Sequence, residues 1–319
     1  MSNVLVAGLS FLVSFIVYPL FIKLLNQRQH QQIVSEYSLD SFKAKAKTPS
    51  LGGVLFVLVP VLVYMAVFPK ALLKAEVLLV LLVYLAYGLI GFADDYKIIL
   101  EQNNKGISAR LKFFLQLILA AVFYFFFRQY LSSSITIYGL NWTFDLGVLY
   151  LVFVLFVFTG SSNAVNLTDG MDGLAGGTSL IALFPFAVFA YRQGNMEIFA
   201  FVLALMGSLV AYLWYNKHPA KIFMGDTGSL ALGAILAALA LVLKQEFSFI
   251  FIAAVFVFET LCVMIQIGSV KLFKRRVFKY TPIHYSFTLS GWKERNVVRF
   301  FWLMGFIFML IGLFLGVLK

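Results

Sequence analysis

The run Asn163-Ala-Val-Asn166-Leu167-Thr-Asp169-Gly170-Met-Asp172-Gly-Leu-Ala-Gly-Gly177 sets two carboxylates, two amides and four glycines between two long apolar stretches. Close to hydrocarbon a bare carboxylate is costly unless something pairs with it, so Asp169 and Asp172 call for a cation, a polar ligand or both. Another glycine-flanked acid, Asp226, lies in Phe223-Met-Gly-Asp-Thr-Gly-Ser229, and the adjacent acids Asp94 and Asp95 close a further apolar run. If helix packing brings these acids together, Lys45, Lys47, Lys97, Lys217 and Lys221 are expected to ring them. Carboxylates ringed by ammonium groups suit Mg²⁺ together with phosphate, because the ion prefers oxygen ligands and is usually held by one or two carboxylates plus substrate phosphates. Gly170, Gly173, Gly176 and Gly177 flank a helix entry, where free N–H groups and the helix dipole favour an anion. One Asp-Gly pair is commonly a cap or a turn, and one lysine near a membrane is commonly a topology signal. The joint pattern is what points to a site.

The elements that must position these residues are set by composition. Of 319 residues 62% are hydrophobic and only 12% charged, against about 25% charged in an ordinary globular chain. Apolar runs of about 20 residues between short polar loops describe a polytopic all-α membrane protein. Ten spans are expected, at about 4–25, 51–68, 75–93, 111–127, 146–159, 174–191, 198–215, 229–243, 247–270 and 298–318, forming a single integral-membrane domain over 1–319. The first is read as an uncleaved span, since no Lys or Arg precedes it. The lone Cys262 excludes a disulfide framework and reads as a core residue.

Ten spans put both termini on one side. The connections that follow odd-numbered spans hold 19 of the 25 Lys and Arg, so these five loops are expected in the cytoplasm and both termini outside. All three acidic clusters then face the cytoplasm, where helix packing could gather them into one cleft. The last cytoplasmic loop, 271–299, is the longest polar stretch; its His284 and basic residues suit a phosphate-bearing substrate or anionic headgroups. His30 and His218 carry no assigned role. Glu259, in the middle of the ninth span, should face the bundle interior and find a hydrogen-bond partner. Asn141 to Asp145 reads as an outer turn with an interfacial Trp142.

In this order, Thr48-Pro-Ser-Leu-Gly-Gly53, Asp94-Asp95-Tyr, Asn163 to Gly177, Phe223 to Ser229 and Pro282-Ile-His284 resemble the motifs of the polyprenyl-phosphate N-acetylhexosamine-1-phosphate transferase superfamily. The resemblance spans nearly the whole chain and is greatest to the branch that transfers phospho-N-acetylmuramoyl-pentapeptide (phospho-MurNAc-pentapeptide). It implies transfer of that group from UDP-MurNAc-pentapeptide to undecaprenyl phosphate, giving lipid I and UMP for peptidoglycan synthesis, at the cytoplasmic face of a bacterial cell membrane. Mg²⁺ is the implied cofactor, with Asp226 and Asp169 as metal residues. Asp94, Asp95, Asp226 and His284 are the implied catalytic residues, with Asp94 or Asp95 deprotonating or orienting the lipid phosphate. Lys45, Asn166, Leu167, Asp169, Gly170, Asp172, Asn216 and Phe223 are the implied substrate-binding residues. Membrane lipid is the implied surrounding, a homodimer is allowed, and no nucleic acid partner is expected.

The chain departs from the family pattern twice. His284-Tyr285-Ser286 stands where three histidines are frequent, and Ile98 takes the lysine position of Asp-Asp-x-x-Lys, with Lys97 one residue early. Only the first histidine's role carries over, and whether Lys97 replaces the displaced lysine is left open, as is the choice between direct attack and a covalent aspartyl intermediate. Two other readings stand beside this one. A sister enzyme would transfer N-acetylglucosamine-1-phosphate from UDP with the same acids. A transporter would place its acids near the midplane in two related halves, and no halves repeat here.

Overall fold

The computed structural model describes residues 2–27, 45, 48–102, 105–130 and 132–318. Lys47 and His30 lie outside these. The described helices are α1 (Ser2–Gln27), α2 (Gly53–Val67), α3 (Ala75–Glu101), α4 (Ala109–Phe127), α5 (Leu149–Thr168), α6 (Leu174–Arg192), α7 (Met196–Asn216), α8 (Gly225–Val242), α9 (Glu246–Ile252), α10 (Ala254–Phe273), α11 (Ile283–Leu289) and α12 (Glu294–Val317). Among the described residues nine helices are long and apolar enough to cross a membrane, and α2, with 15 residues, is a shorter apolar helix where the second span is expected. An all-α polytopic membrane protein is the result, as lipid demands, because a helix satisfies its own backbone hydrogen bonds.

The sheet content of the described residues is one hairpin, β1 (Ser134–Ile137) against β2 (Trp142–Asp145), antiparallel with Ser134 opposite Asp145 and Ile137 opposite Trp142. The turn expected at Asn141 is the bend of this hairpin; Asn141 takes φ 49° and Trp142 is exposed.

Several boundaries differ from expectation, and at the three acidic clusters the change moves acids or amides into helices. No breaker follows Asp95, so α3 continues about two turns past Ala93 and carries Asp94 and Asp95 within it. α5 runs on to Thr168, which puts Asn163 and Asn166 on its last turns. α8 starts at Gly225, so Asp226 belongs to its first turn. The ninth span is two helices, α9 and α10, meeting at Ala253. The break lets the halves take different neighbours: α9 lies against α12, and α10 against α5.

The axis of the bundle is α8, whose residues from Thr227 to Val242 are all buried. Its Gly- and Ala-rich sequence lets neighbouring backbones come close, which is how helices associate in lipid, where no hydrophobic effect drives them together. A Cβ at Gly91 of α3 would overlap the Asp226 carbonyl, and one at Gly233 of α8 would overlap the α5 backbone at Ser161 and Ser162. These contacts bring the end of α3, the end of α5 and the start of α8 to one end of the bundle.

Candidate active site

Asp95 ties α3 to α8. Its Oδ1 accepts the N–H of Asp226 at 2.9 Å, and its Oδ2 accepts the N–H and hydroxyl of Thr227 at 2.9 and 2.6 Å. A helix start leaves N–H groups without partners and carries positive dipole charge, and here a buried carboxylate from the next helix meets both needs. Gly225 has φ 68°, and a Cβ there would overlap Asp95 Oδ2, so the glycine of Met-Gly-Asp is required by this contact.

Asp94, one residue earlier, faces a different group of donors. Ile107 N–H bonds Oδ1 at 2.7 Å and Lys112 Nζ lies 3.0 Å from Oδ2. The same ammonium donates to Asp226 Oδ2 at 2.5 Å, so one lysine bridges two acids 132 positions apart in the chain (94 and 226). Asn166 completes the group: its amide donates to Asp226 Oδ1 at 2.6 Å and to Ser229 at 2.9 Å. Leu167, half-buried in the same turn of α5, offers an apolar edge.

Asp169 follows the last residue of α5 and is half-buried. Among the described residues no donor hydrogen-bonds its carboxylate. Burial pushes its pKa up to about 8; Asp226, Asp95 and Asp172 push the same way, and Lys45 pulls it down. An oxygen donor under that much uncompensated negative charge fits a hard divalent cation, and Asp226, the more exposed of the acids that Lys112 bridges, could offer a second oxygen in exchange for its Lys112 contact.

Beyond Asp169 the loop turns to a second cluster. Asp172 receives Lys45 Nζ at 2.6 Å on one oxygen and, on the other, the His218 ring at 2.9 Å and Ala220 N–H at 3.0 Å. Glu294, at the start of α12, accepts from Lys45 at 2.5 Å and from the Asp172 N–H at 2.9 Å. By spacing alone Asp172, His218 and Glu294 could hold a metal ion. The Lys45 ammonium already neutralises both carboxylates, so this cluster reads as an ion-paired platform. Asn216 braces it by accepting Gly173 N–H at 2.9 Å and donating to Ile222 O at 2.8 Å. The peptide groups of Phe223 bond Pro49 and Gly52, which docks Thr48 to Gly53 onto the start of α8.

The last loop closes over Gly170. Glu259 of α10 accepts Ile283 N–H at 2.8 Å and the His284 ring Nδ1 at 3.0 Å, the partner expected for a mid-span acid. The Tyr285 hydroxyl donates to Gly170 O at 3.1 Å, and burial pushes that phenol up, so it stays a donor. A Cβ at Gly170 would overlap both His284 Nε2 and Tyr285 Oη.

The acids named from the sequence, Asp94, Asp95, Asp169 and Asp226, thus gather with Asn166, and Lys45 joins them through Asp172. Lys97 points elsewhere, 3.7 Å from Glu101 on an exposed face. Lys217 stacks over Trp214 at 3.5 Å, and Lys221 is exposed. Three participants went unrecognised: Lys112, His218 and Glu294. Lys112 carries one signal, its place at the start of the helix that follows the Asp94-Asp95 pair, where by sequence it counts only as a topology charge. Glu294 and His218 had none, because their partners lie 122 and 46 positions away.

Between α5, α9 and α10 lies an apolar cavity of about 320 Å³, open at one side and lined by Phe153, Val157, Ala164, Phe256, Thr260 and Met264 among others.

The family model described as "Glycosyl transferase family 4" matches residues 77–244, which run from α3 through α8 and include Lys112, Asp94, Asp95, Asp169, Asp172 and Asp226 but neither Glu259 nor Glu294. Three relatives, each named phospho-N-acetylmuramoyl-pentapeptide-transferase, match nearly end to end. The chain is 42% identical over 316 residues to the one from Geobacillus thermodenitrificans, covering 98% of both chains. It is 41% identical over 317 residues to that of Staphylococcus saprophyticus, covering 98% of this chain and 99% of the relative. It is 42% identical over 313 residues to that of Bacillus anthracis, covering 98% and 97%. Identity at that level over the whole length carries with it the loops that bring these acids together, and the chain belongs to the phospho-N-acetylmuramoyl-pentapeptide-transferase family.

Proposed function

We propose that this chain transfers phospho-MurNAc-pentapeptide from UDP-MurNAc-pentapeptide to undecaprenyl phosphate, releasing UMP and forming lipid I at the inner face of a bacterial cell membrane. The observation that carries this reading is the meeting of Asp94, Asp95, Asp169 and Asp226 at one bundle end. The names and bacterial sources of the relatives favour it over an N-acetylglucosamine donor or a transport role. The excess of Lys and Arg in the loops at the acidic end supports the cytoplasmic orientation and external termini. The whole chain, 1–319, is read as one integral-membrane domain.

The chemistry is dominated by charge, since an anionic lipid phosphate must approach an anionic diphosphate and hold an in-line geometry. Asp169 and Asp226 are the residues that would hold Mg²⁺, which when bound supplies charge neutralisation at the diphosphate oxygens. Lys112 adds a fixed positive charge between Asp94 and Asp226, where it can move from carboxylate to substrate phosphate. Asp94 is assigned to orient or deprotonate the attacking phosphate, because Asp95 has both oxygens committed to the start of α8. Asp172, Lys45 and Asn216 hold the nucleotide end, with Leu167 and Phe223 as apolar neighbours. The apolar cavity takes part of the isoprenoid tail, whose phosphate then reaches the site from the membrane side.

The test is product identity. Purified protein in detergent, given Mg²⁺, undecaprenyl phosphate and UDP-MurNAc-pentapeptide, should release UMP and yield a lipid-linked muramoyl product. Product from UDP-N-acetylglucosamine and none from the muramoyl donor would overturn the assignment.

A further inference from the structure

Glu259 and His284 form the most secluded acid–imidazole pair among the described residues, both side chains 0% exposed. One Glu259 oxygen accepts the Ile283 N–H and the other faces His284 Nδ1, so the carboxylate grips the first turn of α11 at two points. The far ring nitrogen is the unusual atom. His284 Nε2 is buried and has no hydrogen-bond partner, and it points at the Gly170 turn so closely that a Cβ there would overlap it. Tyr285 packs edge-on against the ring, centroids 4.0 Å apart, and anchors its own hydroxyl on Gly170 O. A buried polar atom without a partner is expensive unless a ligand completes it.

We infer that Glu259 is a positioning residue for the transfer reaction: by accepting a hydrogen bond from His284 Nδ1, it fixes the ring and its tautomer so that Nε2 is held as an acceptor against the Gly170 turn, one residue from Asp169. This rests on the function proposed above. Both Glu259 oxygens accept, one from a backbone N–H that can only donate, which is the arrangement of a carboxylate that orients an imidazole. A mid-membrane acid is kept because it sets which nitrogen of a distant loop histidine faces the chemistry. A merely structural Glu259 would pin α11 but would leave the proton's location on the ring without consequence.

The chain has three histidines, which makes the ring directly observable. In protein labelled with ¹⁵N-histidine, with His30→Gln and His218→Gln removing the other two signals, the spectrum in lipid should show Nδ1 protonated in His284. An unprotonated Nδ1 overturns the inference without any variant of Glu259 and whatever the activity. In E259Q, which keeps the shape and loses the charge, that signature should be lost. UMP release should fall in kcat on the order of 10–100-fold, the usual cost of losing a partner that orients an imidazole. KM for the UDP donor should stay within about twofold, as for an interaction made in the transition state. Glu259 acts through His284, so E259Q/H284Q should be no slower than H284Q alone. Independent, multiplicative losses, or wild-type turnover in E259Q, would overturn the role of Glu259. A wild type with no transferase activity but with Nδ1 protonated would refute the function and leave the pairing standing.

Discussion

Lys112 Nζ lies 2.5 Å from Asp226 Oδ2 and thereby fills the centre of the site with an ammonium that also touches Asp94. The lysine of the family's Asp-Asp-x-x-Lys pattern is displaced in this chain, and the neighbouring Lys97 faces Glu101 on the surface. K112M should therefore cut UMP release by about 10²–10³-fold, the usual cost of removing a charge aimed at the developing transition state. K97A should stay within about twofold, since exposed ion pairs contribute little. Equal losses in the two variants would contradict this division of labour.

Asp94 and Asp95 are neighbours with different partners. D95N places an amide N–H₂ or a single acceptor where three donors now meet, leaving part of the start of α8 unsatisfied, so it should destabilise the protein by about 1–3 kcal/mol. D94N should leave thermal unfolding close to wild type and lower kcat. Thermal denaturation measured beside turnover separates the two, and a D94N protein that melts early while keeping its kcat would reverse the assignment.

If Asp169 holds the cation as proposed, metal binding depends on pH. The Asp169 pKa is raised to about 8, and a proton must leave the carboxyl before it can hold a cation. Below that value the apparent Mg²⁺ affinity should rise with pH by up to about tenfold per unit, and above it should level off. Calorimetric titration with Mg²⁺ should show proton release near neutral pH, which D169N abolishes. An affinity flat across this range would remove Asp169 from the metal role.

The cavity between α5 and α10 should answer to the lipid alone. T260W, which fills it, should raise KM for undecaprenyl phosphate by about tenfold, as when a pocket loses room for an apolar group. KM for the UDP donor should be unchanged. A parallel rise in both constants would place the cavity outside the acceptor path.

Much of this was legible in the sequence because membrane proteins write their spans and their exceptional residues plainly. The glycine-flanked acids Asp169, Asp172 and Asp226 stood out against hydrocarbon, and the place of Glu259 in an apolar run foretold a buried partner. The break at Ala253 was not legible: no Gly or Pro marks it, and it arises because α9 and α10 pack on different helices. The ends of α3, α5 and α8 differ from expectation because polarity does not end these helices: Asp94, Asp95 and Asn166 are polar residues that helices carry into the site, and Asn163 is one that α5 turns to Gln116 of α4. Lys112, His218 and Glu294 owe their roles to contacts across the bundle, which local spacing does not encode.

In the proposed mechanism, acids from α3, α8 and the turn after α5 make one cation-dependent transfer site. UMP release by D226N, titrated with Mg²⁺ after its fold is verified, tests it most directly. The expected result is a loss of about 10²–10³-fold or more that no Mg²⁺ concentration restores. Turnover near wild type at saturating Mg²⁺ would contradict it.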